Sequence, residues 1–159
     1  MKTALIHIGI AFVWMFLNPK RDLPSLMVGL IIGWILLVAF RPLLPDDKYL
    51  RRSSAFFKWL WAFFKALVLS QFRVARLILF PGNNPIQPGF FEFPIRDLSD
   101  LEILMLSHSI SLTPGTTSVE VDPEKQVLLV HALEADRPED AISEIERTLL
   151  KPLLAFTRP

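Results

Sequence analysis

Residues 23–40, LPSLMVGLIIGWILLVAF, run for 18 positions without a charged side chain. A run of that length and character is the signature of a membrane-spanning helix. Pro24 falls in its first turn, where a missing N–H does no harm. Ser25, Gly29 and Gly33 recur every four residues and so share one helix face. In lipid, such a small-residue stripe lets another helix approach closely, because packing rather than the hydrophobic effect drives association there.

Upstream, Thr3–Leu17 is 15 residues without Asp, Glu, Lys or Arg. At 1.5 Å per residue it reaches roughly 22 Å, short of the roughly 30 Å hydrocarbon core. Lys2 and the Asn18–Asp22 group bracket it. A cleaved signal peptide is the alternative, but no small-residue cleavage site follows and a second apolar run begins at once. Residues 1–54 therefore read as a transmembrane helical hairpin, with spans at about 3–18 and 23–40, and a basic loop. The loop, residues 41–54, sets Arg41, Lys48, Arg51 and Arg52 against Asp46 and Asp47. Pro42 and Pro45 end the second helix, and the basic excess favours the cytoplasmic side.

Residues 55–80 are apolar but interrupted. At 100° per residue, Lys58, Lys65 and Arg76 fall within about 20° of each other, with Arg73 about 60° away. Leu60, Phe63, Leu67, Val74 and Ile78 lie opposite. A span surrounded by lipid would not carry a basic stripe. Three arrangements remain: a helix lying at the membrane surface on anionic headgroups, a tilted span with its stripe against a partner, or a soluble core helix. Trp59 and Trp61 suit an interface.

The charge divides the same way. Residues 1–90 hold eleven Lys/Arg and three Asp/Glu, a net of +8; residues 91–159 hold six and thirteen, a net of −7. Apolar residues are 52% of the chain and cysteine is absent. That excludes disorder, a disulfide scaffold and a thiolate nucleophile. The basic half is also the apolar half, which argues against nucleic acid as a partner.

After a breaker-rich linker at 81–89, residues 90–159 read as a small α+β domain in βαββα order. Phe90–Ile95 is a strand whose Pro94 suits an edge. Ser99 and Glu102 form a capping box opening a helix from Asp100 to about Leu112, with Leu101, Leu104, Met105, His108 and Leu112 on one face. Thr117–Val121 and Val127–Leu133 make a β-hairpin, with Val119 and Val121 on a half-buried strand. Asp136 with Glu139 offers a cap for a last helix, running to Leu150 or on to Phe156. About 70 residues is marginal for independent stability, so the domain is expected to lean on the membrane half or a partner.

Chemistry is sparse. His7, His108 and His131 lack the companions a metal site needs. Ser107, Ser109 and Ser111 near His108 form no nucleophile elbow, and there is no phosphate-binding glycine loop. Glu139, Asp140, Glu144 and Glu146 read as a solvated face, with Glu144 free to meet a basic partner. The two apolar runs hold no Asp or Glu, so neither supplies an ion ligand or proton relay at membrane depth. No catalytic residue, metal or cofactor is expected.

Ser111-Leu112-Thr113-Pro114-Gly115-Thr116, then Ser118-Val119-Glu120-Val121-Asp122, then Leu129-Val130-His131-Ala132-Leu133 resembles the E-type subunit of the Mrp-type (Mnh or Pha) multisubunit Na+/H+ antiporters. That family's pattern runs roughly L-T-P-G-T-x-x-V-x-V, then Y-V-H-x-L; here Leu129 stands where the family often has tyrosine. Trp14–Leu17, Gly29 to Gly33, Leu50-Arg51-Arg52 and Pro88-Gly89-Phe90 extend the resemblance over nearly the whole chain. It implies an accessory, multi-pass subunit of a bacterial-type inner-membrane complex, with a cytoplasmic C-terminal domain. Its partners would be the lipid bilayer and the other subunits, which mainly handle Na+ and H+. On this reading Ser25, Gly29 and Gly33 dock the second helix on a neighbouring subunit. Lys58, Lys65, Arg73 and Arg76 hold the membrane surface or a partner's acidic groups. Thr113, Pro114, Gly115 and Thr116 set the turn feeding the hairpin that carries His131. A membrane-anchored adaptor or sensor is the competing reading, and a membrane enzyme using His108 or His131 a third.

Overall fold

A computed structural model describes residues 2–44, 48–80 and 86–158. Pro45, Asp46, Asp47 and the linker positions 81–85 lie outside the described residues. The chain divides into two compact units, one ending at Ser54 and the other Ala55–Arg158.

In the first unit α1 (Lys2–Leu17) packs on α2 (Leu23–Ala39), and a 3-10 turn, Arg41–Leu43, follows. Asp22 caps α2: its carboxylate accepts from Ser25 N at 3.0 Å and from the Ser25 hydroxyl at 2.7 Å. Thr3, His7 and Ala11 of α1 are buried, as are Gly29, Gly33 and Leu37 of α2. Leu5, Ile8, Val13 and Phe16, and Met27, Ile31 and Ile35, are exposed. Small and polar groups face inward and large apolar ones outward, the inverse of a water-soluble pair. Among the described residues no helix is long and apolar enough to cross a membrane. The two helices have 16 and 17 residues, about 24–26 Å of rise.

The third helix, α3, spans Lys48–Leu79. It begins seven residues before the expected start at Ala55, so much of the expected loop is helical. Lys48–Ser54 holds no Pro or Gly, and its Lys, Leu and Arg are good helix formers; a charge run is not by itself a loop.

The second unit continues with β1 (Gly89–Pro94), α4 (Asp100–Leu112), β2 (Thr116–Asp122) and β3 (Val127–Ala132). Then come α5 (Pro138–Ile145), a π-helical turn (Glu146–Leu150) and α6 (Lys151–Thr157). The sheet is antiparallel, in order β1-β3-β2. Pro94 ends the edge strand β1, where no inner ladder bond is lost. Phe91, Phe93, Leu128, Val130 and Ala132 bury one sheet face against Leu106 and Ile110 of α4 and Ile145, Leu149 and Leu153 of the C-terminal helices. Trp59, Phe63 and Ala66 of α3 close the margin of this core. The small domain therefore leans on α3, and the compact unit begins at Ala55.

The face of α4 shared by Leu101, Leu104, His108 and Leu112 is the exposed one, while Glu102, Leu106, Ser109 and Ile110 are buried; two further local expectations are corrected. Apolar residues ring much of α4, so periodicity alone does not select the inner face. Val119 and Val121 are exposed as well. The register passes from Ser118↔Val130 to Glu120↔Leu129, leaving Val119 as the extra residue of a β-bulge. Asp136 is not a cap either: Pro138 takes an opening position of α5, and Arg137 precedes it without a side-chain cap bond.

The last helix is also interrupted. Pro152 offers no N–H to Thr148 O, and the wide turn Glu146–Leu150 takes up the mismatch.

Candidate functional site

Three arrangements hold the residues singled out above. The first is the α1/α2 contact. A Cβ added at Gly29 would stand 2.7 Å from Ala11 O, and one at Gly33 would stand 2.9 Å from His7 Cδ2. The stripe expected to meet a neighbouring subunit is thus filled by α1 of the same chain at these two glycines. Ser25 is instead part of the helix cap, donating to Lys20 O at 2.8 Å.

Gly33 makes room for the ring of His7. His7 is buried, with Nε2 2.7 Å from Leu30 O and Nδ1 2.6 Å from the Tyr49 hydroxyl. A carbonyl only accepts, so Nε2 carries the proton; in the neutral ring Nδ1 then accepts from Tyr49. One imidazole thereby ties α1 to α2 and to the first turn of α3. Trp34 Nε1–H donates to Ser53 Oγ at 3.0 Å alongside. The missing signal was the pairing of His7 with Gly33, which only the helix register reveals.

The second arrangement is α3 within its compact unit. Phe56, Trp59, Phe63 and Ala66 turn toward the α+β core, with Phe156 stacked on Trp59 at 6.0 Å. Trp61, Phe64, Phe72 and Leu79 are exposed. Lys58, Lys65 and Arg76 are exposed and make no ion pair among the described residues. Arg73 differs: it grips Glu144 of α5 through two bonds of 3.0 and 2.8 Å. That contact holds the Glu144 carboxyl below its usual range and raises Arg73. Glu144, expected to await a partner, is matched within the chain. Both side chains are about half exposed, so the pair positions α5 more than it stabilises the fold.

The third is the Thr113–Thr116 turn. Thr113 Oγ1 donates to Ser109 O at 2.7 Å and Thr116 Oγ1 to Ile110 O at 2.9 Å, so two hydroxyls satisfy carbonyls at the end of α4. Pro114 halts the helix. Gly115 has φ +95°, and its carbonyl accepts from Leu133 N at 2.9 Å. The turn also lines a cavity of about 480 Å³ with Arg73, Asp140, Glu144 and Arg147. His131 lies on the opposite sheet face, its ring 5.0 Å from that of Phe90. His108 donates from Nδ1 to Leu104 O on exposed α4. The two histidines are thus not brought together, and no metal-holding group of three His, Cys, Asp or Glu occurs among the described residues.

A second ion pair was likewise not anticipated. Glu102, the capping-box residue, is buried and receives Arg158 Nε at 2.9 Å and Arg158 Nη2 at 2.6 Å. Arg158 Nη2 also donates to Asp97 O. The guanidinium holds the Glu102 carboxyl far below the usual carboxylate range, against the opposing effect of burial.

The family described as Na+/H+ ion antiporter subunit (MNHE) matches residues 7–156. Over 154 residues the chain is 31% identical to the E-type Na+/H+ antiporter subunit of Alkalihalophilus pseudofirmus, covering 97% of each chain. It is 32% identical over 154 residues to the E-type Na+/H+ antiporter subunit of Bacillus subtilis, again with 97% of each covered. A solved chain from the Mrp complex of Dietzia sp. is 32% identical, covers 58% of this chain and 88% of its own length, and superposes with a TM-score of 0.43.

Proposed function

The chain belongs to the Na+/H+ ion antiporter subunit family, and from that premise we infer how its parts serve the complex. It is an accessory subunit of a multisubunit Na+/H+ antiporter, and its partners are the other antiporter subunits. The observation that carries this is the extent of the match, which runs through both compact units rather than one.

In the proposed arrangement α1 and α2 lie in the cell membrane as a hairpin. Their inverted polarity supports this: the outer surface is Leu, Ile, Val, Phe and Met, while the inner contact is Thr3, His7, Ala11, Gly29 and Gly33. Helices shorter than the hydrocarbon core are accommodated by local thinning or flanking residues. The domain from residue 90 onward is cytoplasmic, the side favoured by Arg41, Arg51 and Arg52. Gly29 and Gly33 close the hairpin, leaving its outer apolar faces for lipid and for neighbouring subunits. Thr113, Pro114, Gly115 and Thr116 shape the α+β domain, and the outer sheet face with Phe90 and His131 is offered to a partner.

The subunit braces ion exchange without catalysing it. Residues 3–17 and 23–40 carry no Asp or Glu, so Na+ and H+ pass through partner subunits that hold such groups. No catalytic residue, metal or cofactor is assigned. The test is affinity purification of the tagged full chain from its own membranes in mild detergent. Recovery of the large antiporter subunits is expected. Recovery of the chain alone, as a stable membrane protein, would overturn the reading in favour of an anchored adaptor.

A further inference from the structure

We propose that the exposed face of α3 between residues 58 and 79 lies on the anionic headgroup layer of the bilayer, its aromatic residues in the acyl boundary and the α+β domain on its water side. The proposal rests on the membrane placement just given and names what covers this helix.

Three stripes of α3 carry it. Trp59, Phe63 and Ala66 pack against the α+β core, with Ser70 buried on the same side. At 100° per residue, Trp61, Phe64, Phe72 and Leu79 centre about 180° from that stripe. All four are more than half exposed. Lys58, Lys65 and Arg76 run along one edge, roughly 60° from the centre of the aromatic face.

Each feature excludes an alternative. Against a transmembrane span, one side of the helix is covered by a domain with exposed Glu and Asp side chains. A helix buried in a soluble core would not leave Trp61, Phe64, Phe72 and Leu79 in the open. The charge decides among occupants: α3 contains Lys and Arg but no Asp or Glu. An anionic leaflet rewards one sign uniformly along the whole stripe, by about 1 kcal/mol for each Lys or Arg near its surface. Long basic side chains at the edge of an apolar stripe reach headgroups while their stems stay against acyl chains. Arg73 is excluded from this set because Glu144 holds it.

The chain has no cysteine, so single labels can be placed cleanly. Phe64→Cys and Phe72→Cys, each carrying a nitroxide, are reconstituted as full-length chain in phosphatidylcholine vesicles with roughly one phosphatidylglycerol in four. Asp140→Cys is the aqueous control. Collision with oxygen against a water-soluble nickel complex reports depth. Labels at 64 and 72 are expected about 5–10 Å below the headgroups, with the label at 140 in water. Lys58→Glu, Lys65→Glu and Arg76→Glu together should return both labels to water, as should purely zwitterionic vesicles. Labels at the bilayer midplane would overturn the proposal in favour of a span. Labels in water on anionic vesicles, becoming protected only in the assembled complex, would overturn it in favour of a protein partner. Co-purification of antiporter subunits with the same labelled chains is scored separately. Its loss with depth retained strikes the subunit assignment, and the reverse outcome strikes this proposal alone.

Discussion

At the scale of single residues, two glycines and a histidine determine how closely α1 and α2 approach. A methyl at Gly29 meets backbone, Ala11 O at 2.7 Å, which cannot step aside. A methyl at Gly33 meets the edge of the His7 ring, a side chain able to shift by losing its two bonds. Gly29→Ala should therefore cost the hairpin about 2 kcal/mol, and Gly33→Ala less, the more so in a Tyr49→Phe background where His7 is freer to shift. Thermal unfolding in detergent checks the order, read by Trp34 fluorescence in a chain whose Trp14, Trp59 and Trp61 are each replaced by Phe. Glu102 is the residue whose charge matters most in the second unit. Its pKa is depressed by Arg158, so it stays ionised in the folded state where the unfolded chain would take up a proton. Its stabilisation is complete above an unfolded pKa of about 4.3 and is lost as pH falls toward the lower folded value. Because the Arg158 side chain is about half exposed, Glu102→Gln should destabilise the α+β unit by about 1–2 kcal/mol at neutral pH and flatten the acid limb of the stability curve. Chemical denaturation at pH 7 and pH 3 would show both, and an unchanged acid limb would contradict the assignment.

At the scale of elements, the Thr113–Thr116 turn shows how a helix stop and a strand start are combined. Two hydroxyls take the carbonyls α4 leaves open, and Gly115 turns the chain at φ +95°. Gly115→Ala should cost about 1–2 kcal/mol from the left-handed conformation alone, since the added methyl has an ordinary 3.4 Å contact with Val74 Cγ2. A midpoint shift in urea without a change in slope is the expected reading. The order of strands and helices was legible because caps and turns are local: Ser99 with Glu102, Pro114-Gly115, and Asp122-Pro123 each declare themselves within four residues. What was not legible depended on distant partners. The bulge at Val119 is set by pairing with β3, the outward turn of Leu101 and Leu104 by what fills the core, and the break in the last helix by Pro152 acting on the turn before it. The small-residue stripe of α2 was visible, but its occupant was not, because a stripe specifies closeness and not which helix comes close. The Arg73–Glu144 and Glu102–Arg158 pairs span 71 and 56 positions, beyond any local pattern.

At the scale of the whole molecule, the division of charge and of packing separates labour. The basic, apolar half pairs two helices whose inside is small and polar and whose outside is apolar. The acidic half builds a three-stranded sheet that needs part of α3 to complete its core. Residues 3–17 and 23–40 carry no Asp or Glu, which fits the accessory role proposed above. The most direct measurement is Na+-driven proton movement in vesicles reconstituted with the purified chain alone and, in parallel, with the intact complex. Exchange is expected only from the complex, with the lone chain indistinguishable from empty vesicles. Sustained Na+/H+ exchange by the lone chain would contradict the account.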